Sequence, residues 1–313
     1  MSQTIVKGLQ TGCLTTWKLG KVIFPITLIV TILQFTPVLP WIIHLISPLM
    51  GIFGLSGDAA IPLVIGNALN LYAGIGAILS LDLTVKEVFI LATMLSFSHN
   101  LFIESTVAVK VGVKMWIVLA VRIGLAVTAG IVINLVWQGG GELAQYGMIP
   151  EAAAQPDTWT SIVLLGLQKA VFGVLQLAAI VIPLMVMIQI AKDLRWLDAF
   201  SRAVAPITRF LGMRENTSMT LASGLLIGLA MGSAVMIQAV EEDGVSKRDV
   251  TLAFIFLVAC HAVIEDTLIF IPLGIPVWPL FLIRVTTAVV LTMAVARLWR
   301  QTEPATGKEA VHS

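Results

Sequence analysis

Charge is scarce in this chain of 313 residues: 12% are Asp, Glu, Lys or Arg and 58% are hydrophobic, where a soluble domain carries about a quarter charged residues. That excludes a single water-soluble globule. Cysteine is scarcer still, since Cys13 and Cys260 stand alone, too few for a disulfide scaffold or a CxxC metal site. The 19 basic residues nearly balance the 18 acidic ones and scatter to the ends of apolar segments, so no basic patch offers itself to nucleic acid. Walker loop, nucleophile elbow and dinucleotide fingerprint are missing. Polar stretches long enough for a soluble catalytic domain are missing as well, so neither an enzyme nor a cofactor is expected. The first twenty residues lack the continuous apolar core of a signal peptide. No A-x-A-like site follows the first apolar stretch, residues 22–39, which is expected to be retained.

What the chain has in abundance is long apolar sequence. Mean hydropathy is +0.97, and apolar runs of about 20 residues or more recur along the whole length, the pattern of an all-α polytopic membrane protein. The lipid bilayer is its first partner. A shift of 162 positions superimposes His99, Gly112, Trp116 and Arg122 on His261, Gly274, Trp278 and Arg284. Both copies read H-x12-G-x3-W-x5-R, and coincidence of such rare residue types at one offset marks a duplication. The same register pairs Glu104 with Asp266, Ser105 with Thr267, and Ile65-Gly66 with Ile227-Gly228. Upstream, an offset of 158 pairs Pro25 with Pro183, Pro48 with Pro206 and Gly54 with Gly212. The expected organisation is a first repeat within 1–137, an extracytoplasmic linker at 138–160 rich in Gly, Pro and acid, a second repeat at 161–300, and a disordered cytoplasmic tail at 301–313.

Each copy offers a long apolar stretch, an intermediate segment, an apolar helix (59–80; 217–240), a histidine segment (86–110; 248–272) and a final helix. In the second copy Leu197, Phe200, Val204, Ile207 and Leu211 fall at spacings of three and four, which predicts an amphipathic helix lying in the membrane interface. Thr84-x-x-Glu87 and Ser246-x-x-Asp249 are capping boxes that open the histidine segments at equivalent points. Charge placement arbitrates topology. If each histidine segment is a re-entrant hairpin, each copy crosses three times, the repeats are inverted, and fourteen basic residues lie inside with both termini against two, Lys247 and Arg248, outside. Full crossing by the histidine segments, with eight helices in all, gives nine against seven. The hairpin reading is preferred, although neither tip carries Gly or Pro, and a continuous polar-centred helix stays open.

Ionisable groups sit where apolar ones are expected: Ser96, Ser98, His99, Asn100, Glu104, Ser105 and Thr106 in one copy, Cys260, His261, Glu265, Asp266 and Thr267 in the other. Intramembrane charge is costly and usually faces a cavity or a partner. Two roles compete: these residues line a polar binding site, or each acid pairs with the arginine of its own copy, Glu104 with Arg122 and Asp266 with Arg284. The two roles are compatible. Asn67 and Asn70 join the candidate list because amides beside glycine suit an uncoiled stretch that presents backbone to a solute. Gly224, Gly228 and Gly232 read as close helix packing. Glu241, Glu242 and Asp243 read as a solvated loop, and Asn216-Thr217-Ser218 as a helix cap. His99, Glu104, His261 and Asp266 could converge on one cation, but without an HExxH pattern no metal is assigned.

With the Ile65-Gly66-Asn67 helix, the polar segments around His99-Asn100-Glu104 and His261-Asp266, and the duplicated plan over about residues 17–300, the chain resembles the nucleoside-recognition or gate-domain membrane proteins. Their relatives include concentrative nucleoside transporters, the membrane part of ferrous iron transporter B, and spore maturation proteins A and B. The resemblance implies two hairpins and two broken helices around a solute, and singles out Asn67, Asn100 and Glu104 in one copy and Glu265, Asp266 and Thr267 in the other. No GTPase domain accompanies this chain, which argues against iron transport of that type. The expected function is a secondary permease of the plasma (inner) membrane for a small polar solute, nucleoside-like by resemblance, with ion coupling left open. The rivals are a non-transporting membrane sensor or assembly factor and a divalent cation permease. Homo-oligomerisation is left open.

Overall fold

The computed structural model describes residues 2–37, 47–147 and 158–302. The described residues are helical apart from turns and loops and one isolated antiparallel bridge between Thr84 and Leu143. The middle of the linker (148–157) and the tail from 303 onward lie outside them; Gln301 and Thr302 close the last helix.

The first copy contains α1 (Ser2–Gln34), α2 (Ala60–Ala68), α3 (Leu71–Ile78), α4 (Val85–Ser98), α5 (Leu101–Lys110) and α6 (Met115–Val136). The second contains α7 (Trp159–Asp193), α8 (Trp196–Phe210), α9 (Ser218–Ile227), α10 (Leu229–Glu242), α11 (Lys247–Ala259), the single turn α12 (Glu265–Leu268) and α13 (Val277–Thr302). Among the described residues five segments are long and apolar enough to cross a bilayer: 3–34, 85–110, 115–136, 159–191 and 277–299. The segment equivalent to 85–110 in the second copy, which holds α11 and the single turn α12, is not among the five.

The expected capping signals operate. Thr84 accepts from the Glu87 N–H while the Glu87 carboxylate accepts from the Thr84 N–H, and the Ser246 hydroxyl accepts from the Asp249 N–H. α1 and α7 run antiparallel in close contact because glycine leaves room. A Cβ on Gly8 would come within 2.7 Å of the Val186 Cα, and one on Gly12 within 2.9 Å of the Ile182 Cα. α8 has the predicted amphipathic character, burying Ser201, Val204 and Thr208 and leaving Trp196 and Phe210 exposed. α4 is different in kind: its residues from Val88 to Ser98 are all buried, so it forms the centre of the bundle rather than a lipid-facing wall.

The re-entrant hairpins are not the histidine segments. The Lys86 ammonium donates to the Asn134 carbonyl (3.1 Å), which places the start of α4 at the C-terminal end of α6. α5 ends at Lys110, five residues before α6 begins, so α4 and α5 together run from one end of α6 to the other. The second copy repeats this: Arg248 donates to the Ala296 carbonyl near the end of α13 (3.3 Å). The histidine segments therefore run the length of the last helix of their own copy, each broken midway.

The chain doubles back instead at 59–80 and 217–240, which were expected to cross. Ser56, just before α2, donates its N–H to the Glu87 carboxylate (2.8 Å), and Asn216, just before α9, donates to the Asp243 carbonyl (2.9 Å), so both legs of each pair begin and end together. Small residues permit the fold-back. A Cβ on Gly74 of α3 would lie 3.0 Å from the Gly66 Cα of α2, and one on Gly232 would lie 3.2 Å from the Ser223 carbonyl. Asn216 thus closes the base of a hairpin rather than capping a helix. The two copies run in opposite directions, with the start of α1 and the ends of α7 and α13 at one end of the bundle and residues 138–147 at the other. Moving the hairpin carries Lys86 to the linker end and brings Lys247 and Arg248 to the end that holds the termini, which strengthens the charge asymmetry.

Candidate functional site

Each motif position in H-x12-G-x3-W-x5-R has a structural task. The histidine ends the first half of the crossing helix. The next residue, Asn100 (φ 52°) or Ala262 (φ 40°), adopts the left-handed conformation that breaks the helix. Gly112 (φ 89°) and Gly274 (φ 69°) turn the chain into the last helix. Trp116 and Trp278 stay exposed near the start of α6 and α13, where an interfacial aromatic belt belongs. Arg122 and Arg284, both fully buried, reach back to the break: Arg122 donates to the Phe97 carbonyl (3.0 Å) and to the His99 carbonyl, and Arg284 donates to the His261 carbonyl (2.6 Å). These carbonyls have lost helical partners, and a guanidinium supplies replacements without water.

A hairpin tip docks on each break. The Asn100 N–H donates to the Gly66 carbonyl (2.9 Å) and the Ala262 N–H to the Gly224 carbonyl (3.0 Å). These contacts pair Gly66 with Gly224, at the offset of 158, not with Gly228 as the sequence register implied. The four additional residues of the second copy fall between Gly224 and Ser246, where the returning leg α10 is longer than α3.

The two breaks meet. The rings of His99 and His261 lie 5.2 Å apart, as expected for tips that approach from opposite sides, although broken crossing helices bring them there. Glu104 pairs with Arg122 (2.8 Å) and Asp266 with Arg284 (3.1 Å), as the sequence suggested. Glu104 also joins the copies. Its Oε1 faces His99 Nε2 and its Oε2 faces His261 Nε2, each at 3.3 Å. Asp266 Oδ2 stands 3.6 Å from His261 Nε2. Thr267 accepts from Arg284 (3.3 Å) and donates to the Val263 carbonyl, so it supports the arginine.

The remaining candidates divide. Glu265 is held by the hydroxyl of Tyr72 in the other copy. It takes the place that Ile103 occupies in the first repeat and breaks the internal symmetry. Tyr72 carried no sequence signal beyond being one of two tyrosines. Glu265 is also the one charged residue lining an apolar groove of about 240 Å³ between α7, α8 and the second hairpin tip, with Met187, Trp196, Phe200, Ile227 and Ile264 among the others. Asn67 donates to the Leu63 carbonyl of its own helix (2.7 Å), while its Oδ1 is buried without a partner. Asn100 Oδ1 and Ser105 Oγ are likewise buried and unpartnered. Asn70 accepts from the Ala73 N–H (2.9 Å), so it caps α3 rather than lining a site. Thr106 points outward and bonds the Ile103 carbonyl, so it is not part of the cluster. Beyond the spanning segments, the linker seats its residues 145–147 on the second copy. The Gln145 carbonyl would meet a Cβ on Gly274 at 2.4 Å, and burial pushes the phenol of neighbouring Tyr146 up from its ordinary range.

Two antiparallel repeats, each with a hairpin and a broken helix, around a buried charge cluster define a polytopic α-helical membrane protein. The nucleoside-recognition Gate profile matches residues 16–115 and 174–275, one segment in each repeat. The chain belongs to that family. It is 66% identical over 312 residues to the uncharacterized membrane protein YvoD of Bacillus subtilis (strain 168), an alignment that covers 99% of this chain and 100% of the relative. No solved structure matches it.

Proposed function

We propose that the protein is a secondary permease for a small polar solute, nucleoside-like in its hydrogen-bonding pattern, which binds at the junction of the two repeats. The observation that carries this reading is the set of buried polar atoms left unpaired beside the charge cluster: Asn67 Oδ1, Asn100 Oδ1 and Ser105 Oγ. An unsatisfied buried polar atom costs about 1–3 kcal/mol, and a solute that hydrogen-bonds all three offsets that cost. Their position at a hairpin tip and a helix break suits the discontinuous-helix sites of transporters built from inverted repeats. No catalytic group or resident metal is needed for this task.

Uptake of tritiated uridine into proteoliposomes tests the function directly. Saturable accumulation that is lost in Asn100→Ala is expected; a folded protein that moves none of a panel of nucleosides and small organic acids would overturn it.

We also place both termini in the cytoplasm and the linker outside the plasma membrane, because Lys247 and Arg248 join the other basic residues at the terminal end. A cysteine at Lys247 should be labelled by a membrane-impermeant maleimide only from the cytoplasmic side, and one at Gln145 only from outside. Labelling of both from one side would contradict the crossing assigned to the histidine segments.

A further inference from the structure

The hydrogen bonds of the two histidines fix where their protons can sit. His99 Nδ1 lies 2.7 Å from the Leu95 carbonyl and His261 Nδ1 lies 2.8 Å from the Leu257 carbonyl. A carbonyl oxygen only accepts, so each Nδ1 carries hydrogen and each neutral ring presents a bare lone pair at Nε2. Both Nε2 atoms face the same carboxylate, Glu104, at 3.3 Å. With both rings neutral and Glu104 ionised, lone pair opposes lone pair twice in a site where His99, His261 and Glu104 are 4%, 1% and 5% exposed. Low exposure magnifies that repulsion. A hydrogen on either Nε2, or on Glu104, converts one opposition into a hydrogen bond.

Charge sets how many protons the cluster takes. The groups that face the imidazoles are Glu104 from α5, Asp266 from α12, Arg122 from α6 and Arg284 from α13, with Glu265 beside Asp266 and bonded to the neutral Tyr72 hydroxyl of α3. Each arginine balances one acid, and an ionised Glu265 leaves one negative charge over when both rings are neutral. One proton brings the buried cluster to neutrality, which a site out of contact with water strongly favours. A divalent cation at the same lone pairs would leave it positive beside two guanidiniums.

We propose that His99, His261 and Glu104 form a one-proton binding site shared by the two repeats. The proton moves from solvent to an Nε2 lone pair and leaves by the same route, with no other bond changed. It lies on a carboxylate that faces a histidine of each copy, so its arrival fastens the repeats and its departure loosens them. That is the behaviour a coupling proton requires, and the site stands whichever solute the permease takes.

The test is nitrogen NMR of the full chain in lipid nanodiscs, labelled at histidine, with His44 and His312 replaced by glutamine so that the two signals are unambiguous. Both rings are expected to keep Nδ1 protonated at every pH. Their Nε2 signals should respond together in a step that corresponds to one proton per molecule. In Glu104→Gln the amide N–H₂ can donate permanently to a bare Nε2, so the shared step should vanish while the protein stays folded. Rings with hydrogen on Nε2 and bare Nδ1, two independent one-proton steps, no step at all, or a step unchanged in Glu104→Gln would each overturn the proposal. Loss of the step on addition of stoichiometric Zn²⁺, with both Nε2 signals shifted by the metal, would make this a metal site and overturn it as well.

Discussion

Replacing Arg122 by leucine is expected to destabilise the protein by about 3–5 kcal/mol, the usual consequence of removing one partner of a buried ion pair. Arg122 is fully buried and holds three things at once: the Glu104 carboxylate and the carbonyls of Phe97 and His99 at the break between α4 and α5. Its loss leaves the carboxylate and two carbonyls short of donors in a medium that supplies no water. The double variant Arg122→Leu with Glu104→Leu should recover much of the loss, because it removes the orphaned charge as well. Unfolding in mixed micelles at increasing SDS reads both. A single variant as stable as the parent protein would mean that water reaches the break, and the buried pairing described above would then be wrong.

Glu104→Ala should cost more than Asp266→Ala, by roughly 1.5–3 kcal/mol, the net value of a hydrogen bond to a charged group. The repeats make these two acids equivalent in sequence, but the fold does not. Glu104 faces Arg122 and both imidazoles, whereas Asp266 has Arg284 at 3.1 Å and His261 only at 3.6 Å, beyond a sound hydrogen bond. Glu104 also ties one copy to the other through His261, so its removal should loosen the association of the repeats as well as the local break. The same SDS titration compares the two variants, and cysteine cross-linking between α5 and α10, which pack together across the repeats, follows the junction separately. Equal losses, with cross-linking unaffected in both, would mean that each acid serves its own copy alone.

The sequence by itself determined the membrane class, the duplication and the amphipathic α8, and offered both acid–arginine pairs as one of two readings. Each rests on spacing or composition along one strand of chain, and such information needs no knowledge of what packs against what. The capping boxes at Thr84 and Ser246 likewise act over three residues.

Which segment turns back was decided by tertiary structure. A hairpin was expected at the histidines because polar residues at the centre of an apolar segment suggest a tip. The buried arginines satisfy the opened carbonyls there and let a broken helix continue across. The true tips at Leu69-Asn70 and Ile227-Gly228 lie in segments apolar enough to look like simple spans, and the room that lets their legs pack closely comes from Gly66 against Gly74 and from Gly232 against Ser223. Small residues at those spacings read equally well as contacts with any other helix. The shift in register within the second hairpin and the meeting of Tyr72 with Glu265 arise from residues far apart in the chain, whose proximity is created only when the two repeats close on each other.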